Sequence, residues 1–525
     1  MQHSTLRTTG LRLSSIAIGS MTYGAPQRGH TLWLLDEDHS RPLIKRALKQ
    51  LRWLGACLVA GGSAGVMALI SMFNPVIASA DDIAFFIGGS GQPIPPTPLV
   101  ETEDALFVNP LYPGYQAEPL FTPEGLYPLT GPDTLPLDTS VSEGVTILND
   151  TIQQQTADGS NLLVYGLSQS TVIASEEMAA LAALPAGQAP TADQLSFVLV
   201  GDPSAPDGGL LTTFPGVSFP SIGATFGAAT PGDTIYPTTI YDGEYDGFSD
   251  FPRYPLDLLA DVNAMLGIDY VHDFYLSDSP SEIANAISLP TSAGYDGVTQ
   301  YFMIPMQPGQ DLPLLDPLQQ LGVPQAFLDL VQPDLEVLIN LGYGPDNVGY
   351  SLTPANVDTP FGLFPDVSWA TVLDELETAT QQGISQFIAD LPSLGSQIEA
   401  FLDPSTLVTR LETLLETFGV GTDESILMGY TTAPDNLNDA LTTIAATDNG
   451  ALSATADLAT ALFSSLPAYD ETLFENALQS GSVVDALLDP IAADLGLGSV
   501  IGWSEVTVIA NALVDDLFDL SSLAS

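Results

Sequence analysis

Four short apolar runs rich in β-branched and aromatic residues punctuate the first half of the chain: Ile83–Ile87 (IAFFI), Leu162–Tyr165 (LLVY), Phe197–Val200 (FVLV) and Thr238–Tyr241 (TTIY). None alternates with polar residues, so each predicts a strand buried on both faces. Helix-period segments lie between them, and the alternation predicts an α/β fold with a mostly parallel sheet covered by helices on both faces. One connecting helix is legible in detail. Pro255 suits its first turn, Leu258, Leu259, Val262, Met265 and Leu266 form its apolar stripe, and Gly267 is expected to stop it five residues before His272. Beyond about residue 345 the pattern turns to Ala, Leu, Asp and Thr at helical spacing, as in 367–391 and 406–418, and predicts a mostly helical acidic extension over 346–525.

The first 80 residues read differently. Leu54–Phe73 runs twenty residues without a charge, directly after Lys45, Arg46, Lys49 and Arg52. The length suits a membrane-spanning helix, while Ala78-Ser79-Ala80 suits cleavage by a signal peptidase, so anchor and cleaved leader both stand. A buried core helix is the plainer alternative, which the basic flank and the Ala-x-Ala site disfavour. With the basic flank held on the cytoplasmic side, everything after residue 80 is expected outside the cytoplasmic membrane, in the envelope or beyond it.

Charge sharpens that division. The 525 residues hold 64 acids and 10 bases, and eight of the bases precede residue 53. Only Asp36, Glu37 and Asp38 are acidic before position 81, so all the other acids face just Arg253 and Arg410. Such a surface repels phosphate backbones and anionic lipid, which excludes nucleic acid as a partner and leaves the leader as the only membrane contact expected. The single cysteine, Cys57, lies in the apolar segment, so the exported part has neither a disulfide nor a thiol nucleophile. Nothing in the sequence calls for a metal or another cofactor.

The chemistry-bearing residues follow strands. Gly166-Leu167-Ser168-Gln169-Ser170 follows the second run and precedes a segment, 171–184, that reads as a helix. This is the setting of a nucleophile elbow, where Ser168 sits on a sharp turn and the Gln169 amide faces a developing oxyanion. Taken alone, Gly-x-Ser-x-Ser is more often an ordinary turn. His3, His30 and His39 precede the apolar segment, which leaves His272 as the only imidazole base for the exported part. An acidic loop follows the fourth run. Asp246 and Asp250 each end a Gly-x-x-Asp, so either serves as the carboxylate that orients His272, Asp246 being the first choice, while Asp242 and Glu244 read as solvated. The order Ser, Asp, His is that of α/β-hydrolases. After the first run, Gly88-Gly89-Ser90-Gly91 offers a second oxyanion donor at Gly89 or Ser90; a phosphate loop is the weaker reading, since no P-loop lysine is present.

In order, Gly88-Gly89-Ser90-Gly91-x-Pro93, Gly166-x-Ser168-Gln169-Ser170, Gly201-Asp202-Pro203, Asp207-Gly208-Gly209, Tyr245-Asp246-Gly247-x-x-Asp250-x-Pro252, Leu259-Ala260-Asp261-x-Asn263-Ala264 and Val271-His272 resemble the PE-PPE domain of mycobacteria, an α/β serine-hydrolase domain related to cutinases. The resemblance covers about residues 82–345, with Leu341-Gly342-Tyr343-Gly344 like the family's closing segment. It implies a triad of Ser168, Asp246 or Asp250, and His272, acting on acyl or lipid esters. Family members often begin with a PE or PPE helical module; here a basic, hydrophobic leader stands instead, similar to membrane-anchored members that acylate envelope glycolipids. The organisation expected is therefore a leader over 1–80, a hydrolase domain over 81–345 and the extension. Three functions follow: an exported esterase or lipase, an anchored acyltransferase with a glycolipid acceptor such as acylated trehalose, or a binding protein that keeps the fold without turnover.

Overall fold

A computed structural model describes residues 3–5, 12–14, 82–185, 187–418 and 437–522. The apolar segment 54–73, the Ala78-Ser79-Ala80 site and most of the leader lie outside the described residues. The chain forms two compact units. One comprises Met1–Ala78, Gly421–Thr447 and Asp515–Ser525 and includes a short antiparallel pair, His3–Thr5 with Arg12–Ser14. The other comprises Ser79–Val420 and Asp448–Val514 and holds the principal sheet.

Seven strands make its principal sheet: β1 (Asp82–Ile87), β2 (Gln116–Pro119), β3 (Asn161–Leu167), β4 (Leu195–Val200), β5 (Thr238–Gly243), β6 (Ile287–Ser288) and β7 (Thr299–Ile304). Their spatial order is β6-β7-β5-β4-β3-β1-β2, parallel throughout except for the antiparallel edge strand β6. The four apolar runs are the four central strands, and the expected α/β sheet is what forms. Their residues have no exposed face. Ala84, Phe86, Leu163, Tyr165, Val198, Val200 and Tyr241 join one core cluster with Phe107 and Tyr275, while the alternate residues Ile83, Leu162, Val164, Phe197 and Leu199 are equally buried. Each Val, Leu, Ile or Phe among them stabilises the fold by roughly 1.5–3 kcal/mol relative to exposure.

Helices α1 (Leu137–Ala157) and α2 (Gln169–Ala182) pack together on β3. A side chain at Gly144 would lie 2.4 Å from Ile173 Cδ1, so the absence of a Cβ sets how close these two helices come. Helix α3 (Leu258–Tyr270) begins at Asp257, whose carboxylate accepts the Ala260 amide. It runs through Gly267 instead of stopping there. That glycine answers a tertiary need: a Cβ would lie 1.9 Å from the Tyr245 carbonyl oxygen. Helix α4 (Gln325–Asn340) follows β7. The extension is helical as expected, with α5 (Trp369–Phe401), α6 (Leu407–Phe418), α7 (Leu437–Thr460), α8 (Leu466–Ser480) and α9 (Val483–Ser522). Among the described residues, α9 is the one helix long and apolar enough to cross a bilayer, with a mean hydropathy of 1.4 over its most apolar window.

The strand order carries a consequence for function. From β1 the chain moves outward to β2, then returns to build β3, β4 and β5 on the other side. The carboxyl ends of β1 and β3 therefore flank the point where the winding reverses, where open α/β sheets bind their ligands.

Candidate active site

Ser168 stands at that reversal, between β3 and α2, with φ 58° and ψ −122°. A non-glycine residue there costs on the order of 1–3 kcal/mol, and the surroundings impose it. A Cβ at Gly166 would lie 3.1 Å from the Ser170 carbonyl and the Thr171 amide, so strand and helix pass too closely for a larger residue. Ser170 fills the position of the usual second glycine and bonds the turn together. Its hydroxyl accepts from the Leu167 amide at 2.8 Å and reaches the carbonyl of Ile87 on β1 at 3.0 Å.

The loop after β1 sits against this turn. Gly89 lies so near that a Cβ there would be 3.4 Å from Ser168 Cβ. Ser90 Oγ donates to Gln169 Oε1 at 2.8 Å, and Gln169 Nε2 donates to the Gly125 carbonyl and to Ser140 Oγ. Gly89, Ser90, Ser168 and Gln169 are thus brought together, with the Gln169 side chain joining the two loops.

His272 arrives from the short helical turn after α3. Its Nδ1 lies 2.7 Å from Asp246 Oδ2, and both residues are buried. Asp250 is also buried but turns elsewhere, accepting the Tyr245 amide at 2.9 Å. Ser168 and His272 both lie against the end of β4. The Ser168 amide donates to Val200 O, and the next residue, Gly201 at φ +60°, has no room for a side chain: a Cβ would lie 2.9 Å from His272 Cε1. His272 Nε2 is buried and has no hydrogen-bond partner among the described residues. In unliganded serine sites the bond from this nitrogen to the hydroxyl commonly closes only with substrate.

Asp246 has more donors than its sequence pattern suggests. Oδ2 also accepts from the Tyr275 phenol at 2.6 Å and Ser249 Oγ at 2.7 Å, while Oδ1 accepts the Phe248 amide at 2.8 Å. Burial raises the carboxyl's proton affinity, but His272 and these hydroxyls outweigh it and hold Asp246 below the usual aspartate range. For His272 burial works the other way, and the charges of Asp246 and Asp273 reverse it to leave the imidazole more basic than usual. Asp250 and Asp242 lack such a partner, and burial pushes both well above the usual range. The expectation of solvated Asp242 and Glu244 is overturned, because both serve backbone amides. Asp242 accepts from Asp202 N, and Glu244 accepts from Met306 N and Gly349 N.

A profile of the PE-PPE domain matches residues 113–344. The chain is 40% identical over 460 residues to "Uncharacterized PPE family protein PPE28" of Mycobacterium tuberculosis, an alignment spanning 85% of this chain and 68% of that protein. The chain belongs to the PE-PPE domain family. Within the same organism it is 47% identical over 289 residues to "Esterase PE16", covering 55% of this chain and 52% of that protein. It is 31% identical over 300 residues to "SL1278 acyltransferase Chp1", covering 55% of this chain and 70% of that protein. No solved structure matches it significantly. The PE-PPE profile begins after β1, so the Gly88–Gly91 loop precedes the matched stretch.

Sequence reasoning passed over Tyr275, Ser249 and Ser140 in this PE-PPE site. Tyr275 follows His272 by three residues, one turn of the short helix His272–Ser277, and that spacing was the available signal. Ser140 lies on α1, far along the chain from Gln169, and carried none.

Proposed function

We propose that this chain is an exported enzyme acting on acyl esters, with Ser168 as nucleophile, His272 as general base and acid, and Asp246 as the carboxylate that orients the imidazole. The observation that carries the reading is the buried Asp246–His272 pair beside a strained serine at the winding reversal. Relatives named as an esterase and as acyltransferases support acyl-ester chemistry.

The steps follow from the groups present. Ser168 Oγ attacks the ester carbonyl carbon while His272 Nε2 takes its proton. Asp246 stabilises the resulting imidazolium, and backbone amides of Gln169 and of the Gly89–Ser90 turn face the oxyanion. Collapse breaks the bond to the alkoxy oxygen, which receives the proton from Nε2, and an acyl-serine remains. Water then takes the acyl group in an esterase. A sugar hydroxyl takes it in an acyltransferase, a second reading favoured by the names of two relatives, Chp1 and Chp2. We assign the chemistry to residues 81–345, with residues 54–73 as leader or anchor.

Labelling with a fluorophosphonate probe tests the nucleophile. Wild type is expected to label and Ser168→Ala to stay unlabelled; equal labelling would leave the non-catalytic binding protein as the reading. Turnover of a labelled acyl donor with and without a trehalose-type acceptor separates the two enzymes, free acid alone supporting the esterase.

A further inference from the structure

The helical extension reaches the site at Trp503. Trp503, near the middle of α9, packs its ring edge-on against Phe248 with centroids 5.8 Å apart and planes at 90°. Phe248 in turn lies edge-on against His272, 4.9 Å away at 77°. The indole Nε1 donates to Asp269 Oδ2 at 2.8 Å, in a contact buried from water. These partners belong to two different segments. Phe248 is two residues past Asp246, and Asp269 is three residues before His272. Trp503 therefore ties the segment that delivers the acid to the segment that delivers the base.

The helix is seated firmly enough to hold that tie. Ala492, Ala493 and Leu497 have no exposed surface. Gly496 lies so close to the body of the domain that a Cβ would be 2.5 Å from the Phe214 ring and 3.0 Å from Pro255. Burial pushes Asp269 well above its usual range, and the indole bond offsets only part of that rise.

We propose that Trp503 is a positioning residue for the Asp246–His272 pair, so that the C-terminal extension completes the PE-PPE site from which it is distant in sequence. The proposal rests on the serine-enzyme reading above. Phe248 closes one side of the imidazole, and Trp503 fixes Phe248 there while anchoring the end of α3.

A double-mutant cycle in the full chain tests this, using a short soluble ester so that acyl-chain binding does not enter. Trp503→Leu is expected to lower kcat about tenfold with KM within twofold of wild type. In a Phe248→Leu background the same substitution is expected to cost less than twofold, because the ring it acts through is gone. Trp503→Phe keeps a ring but gives up the indole donor, and is expected to lower kcat three- to fivefold. It carries the test if Trp503→Leu shows no cooperative melting transition. Wild-type kcat in whichever variant folds would overturn the proposal, as would an undiminished effect in the Phe248→Leu background, which marks a purely structural role. Failure of the serine-enzyme reading is separate, since it appears as labelling that survives Ser168→Ala.

Discussion

Replacing Tyr275 by phenylalanine removes one of three donors from a single carboxylate oxygen and changes little else in volume. The phenol gives Asp246 Oδ2 a bond of 2.6 Å beside those of His272 and Ser249. It is neutral, because burial drives its proton affinity well above the tyrosine range. A hydrogen bond to a charged acceptor contributes about 1.5–3 kcal/mol. If about one third of that passes to the remaining imidazole bond, the His272 cation gains roughly 0.5–1 kcal/mol, or about 0.4–0.7 pH unit. The sign is fixed: a better stabilised imidazolium loses its proton at higher pH. The acid limb of kcat/KM should therefore move upward by that amount, while the plateau above it stays within about threefold of wild type. The other acids around the pair, Asp242, Asp250 and Asp273, remain in both proteins and cancel in the comparison. PH-stat titration of acid released from a short-chain ester measures the limb directly. A limb that stays in place or moves down would refute the account of Asp246 as a charge shared among three donors. The substitution also leaves the Gly243 amide without its 2.7 Å acceptor, so a stability loss of about 1–3 kcal/mol should accompany it.

The two candidate acids separate by amide substitution. Asp246→Asn removes the charge from His272 and should cost turnover about 10⁴-fold, as in serine enzymes whose triad aspartate is amidated. Asp250→Asn replaces a carboxyl whose proton affinity burial raises and that accepts one backbone amide, which the amide oxygen can still accept, so activity and melting temperature should both stay close to wild type; the opposite pattern would exchange their roles. Stability should also fall as pH rises. Glu103, Glu124, Asp242, Asp250, Asp261 and Asp269 are all raised well above their ordinary values by burial. Folding therefore takes up protons, and the stabilisation is complete below about pH 4 and is lost as pH climbs toward each folded value, at about 1.4 kcal/mol per unit for each group. The raised His272 acts in the same direction through neutral pH. Calorimetry should give a higher melting temperature at pH 5 than at pH 8, and the reverse order would show that these carboxyls are ionised in the folded state.

By itself the sequence determined what local composition can encode. Short runs rich in apolar and β-branched residues marked four of the interior strands, because a strand buried on both faces holds few polar residues. Gly-x-Ser-x-Ser after such a run marked the elbow, and a count of imidazoles isolated His272. The edges were less legible. β2 (QAEP) is largely exposed and paired on one side only, so it needs no apolar run. Only the tertiary structure shows which of Asp246 and Asp250, whose flanking glycines are alike, bonds to His272, because the loop turns one carboxylate to the imidazole and the other to Tyr245 N. It also explained Gly267, kept bare by the Tyr245 carbonyl, and it brought Trp503 to Phe248 from a segment far along the chain. Such contacts depend on where distant segments pack, and no periodicity along the chain records them.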